Sequence, residues 1–142
     1  MNAQIDNALD PVKCVGMETV AGAPDLTFEH VIQARARIAP HVHNTPILTS
    51  TYLNDRIGAE IFFKCENFQK AGAFKVRGAC NSVFGLTDQD AVHGVATHSS
   101  GNHALSLSYA AGRRGIPCHV VMPKTAPQAK KDAVVGLSLI HI

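Results

Sequence analysis

In the run GAFKVRGA (residues 72–79), Lys75 places one primary amine between Phe74 and Val76, with Arg77 two positions on. A neutral amine attacks carbonyl carbon and forms Schiff bases; an ammonium does not. The run reads as the beginning of a helix, where unpaired N–H groups carry partial positive charge and disfavour a nearby ammonium. Burial beside Phe74 would disfavour it further, so the expected direction of the Lys75 pKa is downward. The plain alternative is a helix whose Lys75 and Arg77 point to solvent, the usual place for helical lysines.

A second group lies at THSSGNHA (residues 97–104), between a predicted strand and a predicted helix. Ser99, Ser100, Gly101 and Asn102 are short residues that turn tightly and leave backbone N–H groups free. At the carboxyl end of a parallel strand and the start of a helix, such groups suit an anion such as a carboxylate. The serine hydroxyls and the His103 imidazole add donors. An ordinary helix cap is the competing explanation, although a cap needs one polar residue, not four followed by a histidine. On this loop alone both readings stay open.

Other reactive side chains are less organised. Among eight histidines, His41 and His43 form the only close pair, and no nearby carboxylate or cysteine completes a ligand set, so no metal site is predicted. Cys14, Cys65, Cys80 and Cys118 are scattered without a CxxC pair. That pattern argues against structural zinc or a disulfide framework and for free thiols in a reducing cytoplasm.

The elements that must position these groups follow from periodicity. Thr27 is a candidate N-cap for a helix carrying Phe28, Val31, Ile32, Arg35 and Ile38 and stopped by Pro40. NTPILTS is extended, and Ser50 caps a helix through Leu53 and Ile57 to Gly58. AEIFFKCE is continuously apolar and predicts a strand buried on both faces. Then come GAFKVRGACNSVFGL (helix), GVATHS (strand), NHALSLSYAAGRRG (helix), PCHVVMP (strand) and APQAKKDAVVG (helix). Strands alternating with helices at this spacing predict βαβ units, a parallel sheet and the α/β class. Residues 1–24 read as a loose amino-terminal arm.

Composition narrows the partners. The 142 residues are 46% hydrophobic and 17% charged, with net charge +2 and no basic run. Nucleic acid and anionic membrane surfaces are therefore not expected partners. No apolar run approaches the roughly 18–20 residues of a membrane span. The amino terminus has no charged start followed by an apolar core, so a cytoplasmic location is expected.

Taken together, FFKCENFQKAGAFKVRGACNSV, THSSGNHALSLSYAA and GIPCHVVMPKTAPQAKKDAV resemble the fold-type II pyridoxal-phosphate enzymes. Within these the resemblance is to the serine racemase and serine/threonine dehydratase family. NTPILTSTYLN fits it too, and the likeness covers residues 28–136. It implies parallel sheets flanked by helices and a lyase or isomerase acting on serine, threonine or a related hydroxy-amino acid. Lys75 matches the lysine that holds pyridoxal phosphate as a Schiff base, and Phe74 the ring that packs on the cofactor. Asn102 matches the hydrogen-bond partner of the cofactor's phenolic oxygen. Ser99, Ser100, Gly101, Asn102 and His103 belong to the loop that holds the substrate carboxylate. Ser100 also matches the hydroxyl on the face opposite the lysine, where biosynthetic threonine dehydratases carry alanine. Ala73 departs from the usual serine, as in 3-hydroxyaspartate dehydratase-like relatives. Ala71 and Leu105 stand where nucleotide-activated racemases have polar residues near their ATP site.

The resemblance further implies that residues 25–90 begin a large cofactor domain and 91–136 a small domain. The ending LSLIHI matches the translation of a transposon-type sequencing adaptor, so 137–142 are expected to be a non-native tail. A longer gene would then supply a glycine-rich phosphate loop, the partner of the pyridine nitrogen, a divalent-cation site and the surface of a homodimer. The alternatives are a 3-hydroxyaspartate dehydratase-like enzyme or a non-catalytic α/β binding module that kept these loops.

Overall fold

Thr27 opens the first helix as the sequence predicts: its hydroxyl accepts from the His30 N–H while His30 Nδ1 accepts from the Thr27 N–H. The computed structural model describes residues 25–137 and, for backbone, Ile140–His141. The arm 1–24 with Cys14, and the side chains of 138–142, lie outside the described residues. Helix α1 spans Phe28–Ile38, strand β1 Ile47–Leu48, α2 Thr51–Ile57 and β2 Phe63–Lys64. Two short 3-10 turns, Glu66–Phe68 and Lys70–Gly72, lead into α3 at Lys75–Gly85. Then follow α4 (Asp88–Ala91), β3 (Val95–His98), α5 (Asn102–Arg114), β4 (Cys118–Val121), α6 (Gln128–Val135) and β5 (Ile140–His141).

The predicted parallel sheet is present in the second half, where β3, β4 and β5 lie side by side, all parallel. Val95 pairs with Cys118 and His98 with Val121. The Ser99 N–H donates to the Val121 carbonyl at 3.1 Å, so the ladder runs to the edge of the candidate loop. Gly94, at φ 76°, allows the close approach that lets the Val95 N–H reach the Pro117 carbonyl at 2.9 Å.

The core is helical on one side of this sheet. Val76, Ala79, Cys80 and Val83 of α3 are buried in one cluster with Ala104, Leu107, Ala110 and Ala111 of α5. Cys118 and Val120 of β4 close it from below. Small residues along the buried face of α5, with Ser106 and Ser108 also at zero exposure, let α3 approach closely. Residues assigned to two domains by the resemblance thus contribute to one core.

One expectation is corrected. AEIFFKCE forms only the two-residue β2, antiparallel to β1, and Phe62 is 65% exposed. A strand is buried on both faces only where layers cover it, and among the described residues no layer covers this pair. The apolar stripe of α1 is also largely open: Ile38 is buried, but Phe28, Val31 and Ile32 are exposed. Finally, α2 buries neither Leu53 nor Ile57.

Candidate functional site

Phe74 and Lys75 stand at the first turn of α3, as the sequence predicts, but the expected burial is not found. Phe74 is 59% exposed and Lys75 is exposed beside it, with Nζ 5.2 Å from the Phe74 ring centroid. Both lie on the open side of the helix, away from Val76, Ala79 and Cys80. Desolvation of the amine is therefore not supplied by the described residues, whereas the helix-start position is.

The 99–103 loop is built as a donor surface. Gly101, in extended conformation, precedes α5, and no side chain caps that helix. Ser99 Oγ instead accepts from the Gly101 N–H at 3.2 Å, tightening the loop on itself. The ordinary-cap explanation is thus not what these residues do: the first-turn N–H groups of α5 have no side-chain partner, and the helix start carries its partial positive charge uncompensated. Ser99, Ser100 and Gly101 are half-buried, while Asn102 and His103 are exposed.

Helices α3 and α5 bring the two groups to one end. Arg114, on the last turn of α5, donates to the carbonyls of Val83 and Leu86 at the end of α3. The carboxyl ends of the two packed helices therefore lie together, and so do their amino ends. The turn Lys70–Gly72 just before α3 also packs on α5. Lys75 and residues 99–103 stand at the amino-terminal ends of these two helices, residues 99–103 also at the carboxyl edge of β3 and β4.

Two features escaped the sequence. A cleft of ≈ 70 Å³ opens between Ser100, Gly101 and Asn102 and the α6 residues Lys130 and Val134; Lys75 is not among its lining. Lys130 carried no signal, because one lysine in an amphipathic helix is ordinary. The second is a polar network in which Arg77 and Thr45 both bond Glu66, and Gln69 meets Arg77 at the His43 carbonyl. Its members lie in three separate segments, so no local motif marks them. Glu66 is held down to a pKa of about 2, chiefly by the hydrogen bond from Arg77.

The remaining reactive groups are structural. Burial pushes the Cys80 thiol up to about 11 and raises Cys118, so both stay protonated inside the core. His41 stacks on Phe84 with ring centroids 3.6 Å apart, and burial lowers its pKa. Among the described residues no group of three or more His, Cys, Asp or Glu is placed to hold a metal, and no helix is long and apolar enough to cross a membrane.

Comparison with known proteins places this geometry. Residues 38–137 match the family model described as pyridoxal-phosphate dependent enzyme. A β-hydroxyaspartate dehydratase from Paracoccus denitrificans is 68% identical over 108 residues, covering 76% of this chain and 34% of that protein. A serine racemase from Oryza sativa subsp. indica is 53% identical over 119 residues, covering 84% of this chain and 34% of that protein. The structure of maize serine racemase superposes with a TM-score of 0.75 at 51% identity, covering 80% of this chain and 35% of that one. The chain thus spans about a third of the length of these relatives.

Proposed function

The chain belongs to the pyridoxal-phosphate-dependent enzymes, with the fold-type II architecture, and from that premise we propose that it is the amino-terminal part of a dehydratase (ammonia-lyase) or racemase for small hydroxy-amino acids. The observation that supports the reading is the packing of α3 along α5, which puts the helix start bearing Lys75 and the uncapped 99–103 loop at the same end of the helix pair.

The donor set fits the cofactor: a primary amine for its aldehyde carbon, with hydroxyl, amide and backbone N–H donors for anionic oxygens. In this reading Lys75 holds it covalently, Phe74 lies against its ring and the Asn102 side chain donates to its phenolic oxygen. Bound there, pyridoxal phosphate supplies an electron sink for chemistry at Cα. The chain's own residues move the protons. Displaced from the cofactor by the substrate's own amino group, the Lys75 amine would take the Cα proton on one face, and the Ser100 hydroxyl would offer one on the other. Ser99, Gly101, Asn102 and His103 fix the substrate carboxylate. Loss of the β-hydroxyl as water after proton removal, followed by hydrolysis of the resulting enamine, would give an oxoacid and ammonia; proton return from Ser100 would invert Cα. The open faces of Phe74 and Lys75 are covered, in this reading, by the part of the enzyme these residues do not span, which excludes water from the amine.

Two observations favour a 3-hydroxyaspartate-type substrate over serine or threonine: the 68% identity to a β-hydroxyaspartate dehydratase, and Ala73 before the Phe–Lys pair. The reading includes a homodimer, a divalent-cation site outside this chain, a cytoplasmic location, and a division into cofactor-domain residues 25–90 and small-domain residues 91–136.

The test is to express the full-length enzyme, reduce it with borohydride and map the labelled peptide. Cofactor on Lys75 is expected; cofactor on another lysine overturns the assignment. Oxoacid release and chiral analysis with 3-hydroxyaspartate, serine and threonine then identify the substrate. Turnover of none of them overturns the activity.

A further inference from the structure

Arg77 closes a two-pronged pair on Glu66, Nε to Oε2 at 2.8 Å and Nη2 to Oε1 at 2.7 Å. The Thr45 hydroxyl donates to the same Oε1 at 2.5 Å, and Lys64 Nζ holds the Thr45 carbonyl at 2.6 Å. Gln69 brackets His43, accepting from its N–H at 2.7 Å and donating to its carbonyl at 2.8 Å. Arg77 Nη2 adds a second donor to that carbonyl at 3.3 Å. Thr45 and Gln69 are both only 4% exposed.

Between the two anchors, Gln69 and Arg77, the chain passes through Ala71 at φ 57° and Gly72 at φ 67°, both left-handed. For alanine that conformation costs roughly 1–2 kcal/mol, and it persists only where the surroundings over-determine it. Here they do, from both sides. Residues two apart on a helix point about 200° apart, so holding Arg77 on the network turns Lys75 to the opposite, open face.

We propose that the Glu66–Arg77 pair, braced by Thr45 and Gln69, is a positioning device that sets the aim of the Lys75 amine. This rests on the reading of Lys75 as the cofactor lysine. The pair touches no reacting atom; it acts by fixing the first turn of α3. A bidentate fork resists rotation about its own axis, which a single charge contact does not.

The experiment uses the full-length holoenzyme with Glu66→Gln, Arg77→Lys and the milder Thr45→Val. Each is reduced with borohydride and mapped, and each is measured for visible circular dichroism, for the pH midpoint of the bound cofactor's absorbance band, and for kcat and KM. Wild-type label away from Lys75 overturns the parent reading, and the proposal falls with it for a separately visible reason. With Lys75 labelled throughout, the expected result is an altered visible dichroism and a shifted band midpoint. With them goes a kcat about 10–100-fold lower, KM changing far less. Thr45→Val should move the same signals in the same direction by less, and it keeps the test alive should the charge variants fail to fold. Folded variants that lose only thermal stability, with dichroism, midpoint and kcat as in wild type, overturn the proposal. So does full rescue by Arg77→Lys, which keeps the charge and removes the fork.

Discussion

Arg114 donates through Nη1 to the carbonyl of Val83, tying the last turn of α5 to the end of α3. A second bond from the same nitrogen reaches the Leu86 carbonyl at 3.0 Å, and Nη2 meets Asp88 at 2.9 Å. The tie sits at the opposite end from Lys75, so it governs the alignment of two helices whose far ends carry the candidate site. Its strength lies in the carbonyls rather than in the ion pair, since Asp88 is fully exposed. Arg114→Ala should destabilise the full-length enzyme by about 2–3 kcal/mol, because buried acceptors lose a charged donor. Asp88→Ala should leave stability close to wild type, as exposed ion pairs contribute little. Urea unfolding of the two variants checks this; equal losses would mean that the ion pair carries the tie.

Gly94 and Gly58 make a paired test of backbone freedom. Both have positive φ, but a Cβ at Gly58 meets nothing, whereas one at Gly94 would overlap the Pro117 carbonyl oxygen and sit 2.8 Å from its Cβ. Gly58→Ala should therefore cost about 1 kcal/mol. Gly94→Ala should cost about 3 kcal/mol or more, since it must also separate β3 from the Pro117 strand entry. Thermal melts of both variants measure the difference.

Glu66 makes stability depend on pH in a defined window. Its folded pKa, about 2, lies below the ordinary 4.5, so its contribution is fully present above pH 4.5 and lost as pH falls toward 2. The contribution is on the order of 2–3 kcal/mol after allowance for partial exposure. Glu66→Gln should thus be less stable than wild type at neutral pH, with the gap narrowing steadily below pH 4.5. A gap that stays constant down to acid pH would show that the carboxylate's charge is not the source.

Ser100→Ala should separate two activities in the full-length enzyme. Racemisation needs a proton from the face opposite Lys75 and should fall by about 100-fold or more, while oxoacid formation needs only the lysine face and should persist. Chiral chromatography and an ammonia assay on one preparation read both. Equal loss of the two would assign Ser100 to carboxylate binding alone.

The chain by itself should bind pyridoxal phosphate weakly. Phe74 and Lys75 are open, and Phe62, Ile47 and Tyr52 leave apolar surface exposed around β1 and β2. Titrating the chain with cofactor should give a weak, poorly saturating absorbance band and no serine turnover. Tight stoichiometric binding with turnover would contradict this.

Much of the architecture was legible because local signals carried it. Thr27 and Ser50 cap the helices they were expected to cap, Gly58 and Gly115 end theirs in left-handed conformation, and β3 and β4 pair in parallel. Each depends on residues a few positions apart, where side-chain chemistry and backbone geometry act directly. Around Lys75 and Ser100 it was position that was legible: Lys75 opens α3, and Ser100 lies between β3 and α5.

What the sequence left open is set by contacts between distant segments. Hydrophobicity says that Phe62, Phe63 and Phe28 favour burial, but burial requires a covering layer, and no string of residues shows whether one is present. The common end of Lys75 and the 99–103 loop follows from parallel packing of α3 on α5, secured by Arg114 far from both. The clamp of Thr45, Glu66, Gln69 and Arg77 is drawn from three segments and exists only once the chain has folded them together. The sequence alone determined which side chains can do chemistry and which turns present them. The tertiary structure alone decided their shared end and the side from which they are braced, because a side chain's direction is set by the partners its neighbours find.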